Sequence, residues 1–136
     1  MESRRNMTTN DIDLKLIQWI DDSEALECYT KQLFRALGYR LQRAINKPYK
    51  FWFISHDGYF VLKAINSINL DTDTALADVP ELERTQRREI IVTSAYVYSE
   101  VIEKARSHGV LIIGLNTLSS KPLEHIQDLV HQFIAE

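Results

Sequence analysis

The spacing of apolar residues predicts that the chain begins with two helices. Apolar positions from Asp11 onward recur at helical spacing, which predicts a short first helix. The segment Asp21-Asp22-Ser23 interrupts that pattern and offers the N-cap of a second helix. Gly38 is placed to end this second helix as a C′ glycine.

The pattern then changes its period and predicts three strands. Residues 39–45 alternate between polar and apolar side chains, and residues 49–54 are rich in aromatic side chains. The Asp57-Gly58 pair is a strong hairpin signal, and it joins the second strand to an apolar strand over residues 59–65. The three strands therefore predict an antiparallel meander.

The rest of the chain alternates between helices and short apolar strands. Two strands joined by one helix at this spacing predict a right-handed parallel crossover. The fold class is thus α/β, with a mixed central sheet and helices on both of its faces. The predicted elements are an acidic connection over 66–78, a helix from Asp78 to about Arg88, a strand over 90–93, a helix over 99–107, a strand over 110–114, a loop over 115–120 and a final helix that begins at Lys121.

Composition limits the chain to one ordinary domain. It has 136 residues, of which 45% are hydrophobic, and a formal net charge of −3. We expect a flexible arm over residues 1–10 and a single domain over residues 11–136. Cys28 is the single cysteine, which excludes an internal disulfide or a cysteine-rich zinc site. No apolar run could span a bilayer and no signal-like segment follows the N-terminus, so we expect a cytoplasmic protein without membrane contact.

The charges are separated along the chain although their sum is small. Residues 28–56 hold six basic residues and no acidic one, whereas residues 64–83 hold five acidic residues and no basic one. A basic surface with interleaved aromatic residues predicts contact with nucleic acid, with DNA as the expected partner, through its phosphates and stacked bases. The alternative is a pair of oppositely charged surfaces that meet across subunits in a homo-oligomer or with a partner protein. The candidate nucleic-acid-binding residues are Arg40, Arg43, Lys47, Lys50 and Trp52.

Three segments of this chain carry a family resemblance. Residues 26–39 hold an early Glu in a helix that ends at Gly-Tyr, residues 58–63 form a strand that ends in Lys, and residues 91–114 form a strand–helix–strand unit with a Thr after its first strand. Together they resemble the Mrr-type branch of the restriction-endonuclease-like PD-(D/E)xK superfamily. The resemblance implies an α-β-β-β-α-β-α-β core with additional N- and C-terminal helices.

The same resemblance implies Mg²⁺-dependent hydrolysis of phosphodiesters, in which carboxylates hold the metal and a lysine orients water. Lys63 matches the family's lysine and Glu27 matches its helix glutamate. Val61 stands where the family has Glu, Asp or Gln, and valine cannot ligate a metal. The family's strand Asp has no counterpart, because no acidic residue lies between Glu27 and Asp57.

These gaps favour a catalytically degenerate nuclease-fold domain that needs no cofactor and serves as a binding or assembly module. One alternative is an active Mg²⁺-dependent DNA endonuclease with a relocated carboxylate, and a second is an unrelated α/β module for a small ligand. Lys63 and Glu27 also have structural interpretations, as an exposed lysine that protects a sheet edge and as a first-turn helix glutamate. The candidates for a relocated metal ligand, all expected on the helix after the lysine strand, are Glu81, Glu83 and Glu89.

Overall fold

The computed structural model of the protein describes residues 12–43, 50–55 and 58–136. Residues 43, 50–55, 58 and 59 are described by their backbone only. The predicted arm over residues 1–10, the candidate residue Lys47 and the turn residues 56–57 lie outside the described residues. Within the described residues, no helix is long and apolar enough to cross a bilayer.

The described residues form helices and strands in an order close to the predicted one. The first predicted helix is a 3₁₀ helix. The elements are the 3₁₀ helix (Leu14–Trp19), α1 (Ser23–Ala36), β1 (Leu41–Arg43), β2 (Lys50–Ser55), β3 (Gly58–Ile65), α2 (Thr72–Ala75), α3 (Val79–Thr85), β4 (Arg88–Thr93), α4 (Ser99–Arg106), β5 (Val110–Ile113), α5 (Leu115–Leu118) and α6 (Leu123–Ala135).

The five strands form one mixed sheet in the order β1-β2-β3-β4-β5. β1, β2 and β3 pair antiparallel, and β3, β4 and β5 pair parallel. The predicted meander followed by parallel strands is thus confirmed. The register places Lys50, Lys63, Ile91 and Ile112 level with one another across four strands.

Helices cover both faces of the sheet, as predicted. Alternate residues of a strand point to opposite faces. On one face, Leu62 of β3 and Ile90 of β4 belong to a buried cluster that includes side chains from α1 and α6. On the other face, Val61 and Ile91 belong to a second buried cluster with side chains from α2, α3 and α4. Each face therefore has its own hydrophobic core.

The boundaries of α1 follow from its end residues. Asp22 is the N-cap, and its carboxylate accepts a hydrogen bond of 2.7 Å from the backbone N–H of Ala25. After the helix, Gly38 takes a φ of +96°, a conformation that glycine adopts without strain. Both predicted boundaries are confirmed. The buried Tyr29 hydroxyl donates to the Leu14 carbonyl at 2.7 Å and so fixes the 3₁₀ helix on α1.

Several elements differ from the prediction in their presence or their boundaries. α2 lies inside the expected acidic connection, where the Asp71 carboxylate caps it by accepting the N–H of Thr74 at 2.8 Å. α5 replaces the expected loop over 115–120. α3 ends at Thr85 rather than near Arg88, because Gln86 takes a left-handed conformation with a φ of 55°. β4 consequently begins two residues earlier than predicted.

Candidate functional site around Lys63

Lys63 lies on the central strand β3 and is buried. Its exposed fraction is 6%, and β3 has a hydrogen-bonded neighbour on each side. The interpretation of Lys63 as an exposed residue at a sheet edge is therefore wrong. The pleat of the strand places Lys63 on the same face as Val61, which packs with α2, α3 and α4.

Two carboxylates surround the ammonium group of Lys63. Its Nζ donates a hydrogen bond of 2.9 Å to Oδ2 of Asp78 and lies 3.8 Å from Oε2 of Glu89. The side chains of Lys63 and Glu89 are 8% and 0% exposed, and that of Asp78 is 28% exposed. The three side chains form a mostly buried cluster of charges, which we call the Lys63 cluster.

Asp78 reaches Lys63 from the start of α3. It holds the N-cap position of this helix, yet its side chain makes no capping hydrogen bond. The carboxylate bonds the Lys63 ammonium instead. A charge-assisted hydrogen bond in a poorly hydrated place is stronger than one between neutral groups. This explains why the carboxylate bonds the lysine and not the backbone N–H groups of the helix.

Glu89 belongs to β4 and not to the helix on which it was expected. This correction follows from the early end of α3. Glu89 pairs in register with Val61, the residue for which the sequence resemblance implies a carboxylate or amide position. A carboxylate is thus present one strand away from the position that valine holds, on the same face as Lys63.

The other two candidates for a relocated carboxylate are exposed on α3. Glu81 accepts hydrogen bonds from the guanidinium of Arg84, one turn further along the helix. Glu83 is also exposed. The structure therefore brings Glu89, and neither of these two residues, to Lys63.

Glu27 lies on α1, away from the face that carries Lys63. α1 packs in the cluster that contains Leu62, whose side chain alternates with that of Lys63 on β3. Glu27 is half-buried in the second turn, since α1 begins at Ser23. Its interpretation as a first-turn residue is wrong, and its catalytic role stays a prediction.

The donor set of the Lys63 cluster does not fit Mg²⁺. Mg²⁺ requires a near-octahedral shell of oxygen atoms and usually keeps several waters. Glu89 is shielded from water, and the Lys63 ammonium lies within 4 Å of both carboxylates. Across the described residues, no group of three or more His, Cys, Asp or Glu side chains could hold a metal ion.

The candidate nucleic-acid-binding residues lie on the antiparallel side of the sheet, as far as they are described. Arg40 is exposed directly before β1. Arg43 is on β1, and Lys50 and Trp52 are on β2, where Lys50 is level with Lys63. Their role in binding stays a prediction.

Comparisons with known proteins add little to this picture. No protein-family model matches the chain, and no curated protein sequence matches it. A solved structure of Pyrococcus furiosus SfsA in complex with Ca²⁺ is similar to it with a TM-score of 0.38 and 14% sequence identity. The similarity covers 68% of this chain and 53% of that one, so the chain spans about half of the length of that protein.

Proposed function

We propose that this chain is a catalytically inactive nuclease-like domain, related to the Mrr-type branch, that acts as a binding or assembly module. The observation that carries the proposal is the burial of the Lys63 ammonium against Asp78, beside a fully buried Glu89. The family resemblance of the three sequence segments supports the nuclease-like part of the proposal. The valine at position 61 supports the loss of activity.

Metal-dependent hydrolysis needs a site that the scissile phosphate, a water and the metal can enter together. The Lys63 cluster offers little of this access, because the lysine side chain is 8% exposed and that of Glu89 is 0% exposed. The ammonium also offsets part of the negative charge of the two carboxylates, which would otherwise attract a cation more strongly. This arrangement stabilises the fold without supplying a reaction centre.

We expect no metal-dependent nicking of DNA by the full chain. Supercoiled plasmid incubated with the protein and Mg²⁺ or Mn²⁺ should stay as intact as with the Lys63→Met variant. Agarose gels measure the nicked and linear fractions over time. The Arg84→Met variant, prepared in the same way, is the control for contaminating nucleases. It changes an exposed residue of α3 and should behave like the unmodified chain.

The relocated carboxylate gives the active-endonuclease alternative one specific observation in its favour, namely Glu89 beside Val61 and 3.8 Å from Lys63. That alternative requires nicking that both Lys63→Met and Glu89→Gln abolish while circular dichroism shows both variants folded. Such a result would replace the proposed inactive domain with a metal-dependent nuclease. Nicking that persists in both variants would point to a contaminant.

Residues 28–56, a basic run without acidic residues, make DNA the first ligand to test. Reversing charge in Arg40→Glu/Arg43→Glu should weaken gel-shift binding and reduce the slope of log K against log salt by about one per lost phosphate contact. The matched control is Lys104→Glu/Lys121→Glu, at exposed lysines outside the basic run. Absence of any shift at low salt would remove DNA as a ligand of this chain.

A further inference from the structure

Two exposed tyrosines lie on the short segment that follows β4. Tyr96 is 52% exposed and Tyr98 63%, whereas Val97 between them is buried. Alternate residues of an extended segment point in opposite directions, so both tyrosines face away from the core. Their rings meet edge to face, with 5.5 Å between the ring centres and 72° between the ring planes. Single exposed apolar residues are common on protein surfaces, but two adjoining rings form a larger patch that is typical of a binding surface.

The backbone that carries the tyrosines is held by contacts from other segments. The side-chain amide of Asn116 on α5 accepts from the N–H of Val97 at 3.3 Å and donates to the Val97 carbonyl at 3.2 Å. Tyr96 forms a parallel β-bridge with Asn69, which follows β3. Gly114 allows a close approach, because a Cβ atom there would lie 2.7 Å from Cγ2 of Val97. The rings therefore project from a fixed segment, and a partner would not have to order this backbone on binding.

Exposed carboxylates flank the tyrosine pair. Asp71 is the N-cap of α2 and Asp73 lies in its first turn, while Glu100 lies in the first turn of α4, which begins directly after Tyr98. The helices α2 and α4 pack against each other, so the three acidic residues belong to one side of the molecule. The backbone N–H of Thr74 donates to the Asp71 carboxylate and holds its pKa below its usual range, so this carboxylate stays charged at neutral pH.

The segments that carry these side chains have no basic residue of their own. Residues 64–83 and 89–103 hold no lysine, arginine or histidine, and the nearest basic residue along the chain is Lys104 in the last turn of α4. Ile68, one residue before the bridge at Asn69, is 89% exposed and adds an apolar side chain beside Tyr96. We call this surface the tyrosine surface, and its members are Ile68, Asp71, Asp73, Tyr96, Tyr98 and Glu100.

The charge and the rings of the tyrosine surface both favour a cationic ligand. Its negative field repels phosphate groups, so it does not suit nucleic acid. The face of an aromatic ring attracts a cation, and a carboxylate beside the ring strengthens that attraction. A guanidinium group can stack on a ring and bond a carboxylate with its planar fork, whereas an ammonium acts as a point charge. The complementary partner is therefore a basic segment that contains arginine.

We propose that the tyrosine surface binds an arginine-bearing segment of a partner protein. The arginine stacks on a tyrosine ring and pairs with the carboxylates around it, and Ile68 contacts the apolar side chains of the same segment. Tyrosine suits this role because it offers a large contact area and loses little conformational entropy on binding. This inference rests on the proposed binding role and deepens it by naming the class of partner, and it does not depend on whether DNA is cleaved.

Binding of a fluorescein-labelled hexa-arginine peptide to the full chain at low salt tests the rings. Fluorescence anisotropy measures the dissociation constant, and a hexa-citrulline peptide, which has the same shape without the charge, should not bind. Tyr96→Ser/Tyr98→Ser should raise the dissociation constant about tenfold, because two ring faces are lost. Tyr96→Phe/Tyr98→Phe keeps both faces and should bind like the unmodified chain. Circular dichroism confirms that each variant is folded.

A second pair of variants tests the carboxylates. Asp73→Asn/Glu100→Gln should raise the dissociation constant for hexa-arginine about threefold or more, because two charged contacts at the tyrosine surface are lost. The matched control is Glu124→Gln/Asp128→Asn, which removes two negative charges from exposed positions of α6. Because α6 covers the other face of the sheet, the control should have a clearly smaller effect.

Several results would overturn this proposal. They are no binding of hexa-arginine, equal binding of hexa-citrulline, a serine variant that binds like the unmodified chain, and a control on α6 that weakens binding as much as the variant at the tyrosine surface. Binding of single-stranded oligothymidine, or self-association in sedimentation, that is lost in the serine variant while hexa-arginine does not bind would assign the surface to nucleic acid or to a second copy instead. The plasmid assay is a separate measurement, so failure of peptide binding and failure of the inactive-domain proposal can be told apart.

Discussion

Replacing Lys63 with methionine is expected to lower the free energy of unfolding by about 3–5 kcal/mol. The substitution keeps most of the side-chain volume but removes the positive charge from a cluster with two carboxylates. Glu89 then keeps its buried position without the ammonium that lies 3.8 Å away. Urea unfolding followed by circular dichroism measures the change. An unchanged slope of the unfolding free energy against urea concentration would show that the denatured state is not altered.

A double-mutant cycle separates the charge from the packing. Lys63→Met/Glu89→Gln removes the lysine and the buried negative charge together, so it should recover part of the stability lost by Lys63→Met alone. Asp78→Asn is the milder comparison, because the amide oxygen still accepts from Lys63 and Asp78 is partly exposed. Strictly additive effects of the two substitutions at 63 and 89 would contradict an electrostatic cluster.

The sequence predicts Lys63 as a candidate site residue, but it does not predict which side chains surround it. Asp78 and Lys63 are 15 residues apart, and their contact depends on how α3 lies over the sheet. The sequence predicts that a helix starts at Asp78, and the structure places Asp78 at the N-cap of α3, but no local pattern indicates that its carboxylate turns to a lysine on β3. Long-range contacts of this kind require the tertiary arrangement.

Glu89 shows why the position of a polar residue can be misjudged. The hydrophobic run that marks β4 begins at Ile90, so the hydropathy pattern predicts that the charged residues before it end a helix. The left-handed turn at Gln86 ends the helix earlier, and glutamine has no strong preference for that conformation. A buried glutamate at the start of a strand therefore gave no signal in the hydropathy pattern.

The regular parts of the fold were easier to predict. The capping Asp22, the glycine after α1 and the apolar strands β3 and β5 each carry a local signal that the structure confirms. α2 and α5 have four residues each, which is too short for a helical period to be visible. Short helices depend on their caps and on tertiary packing more than on their own sequence.

Arg88 at the start of β4 joins the sheet to the end of the C-terminal helix. Its guanidinium donates to the carbonyl of Phe133 and, at 2.9 Å, to that of Ile134. It also lies over the rings of Phe60 and Phe133, at 4.8 and 5.1 Å from their centres. These carbonyls are at the negative end of the α6 dipole, where a cation is favourable.

Arg88→Ala is therefore expected to destabilise the chain by about 3 kcal/mol, the combined loss of charged hydrogen bonds and ring contacts. Arg88→Lys should recover only part of this, since an ammonium cannot bond two carbonyls as a planar fork and stack on two rings at once. Arg84→Ala, at an exposed arginine paired with Glu81, should lower the free energy of unfolding by less than about 1 kcal/mol.

Amide hydrogen exchange identifies which elements of the structure Arg88 stabilises. In Arg88→Ala, the amides of the last turn of α6 should lose protection first, while those of β4 and β5 exchange by global unfolding. Arg106 still pairs with Glu136 and lies 4.7 Å from the Phe133 ring centre, so the turn should loosen rather than detach. Equal loss of protection in β5 and α6 would mean that Arg88 stabilises the sheet as a whole and not its contact with the helix end.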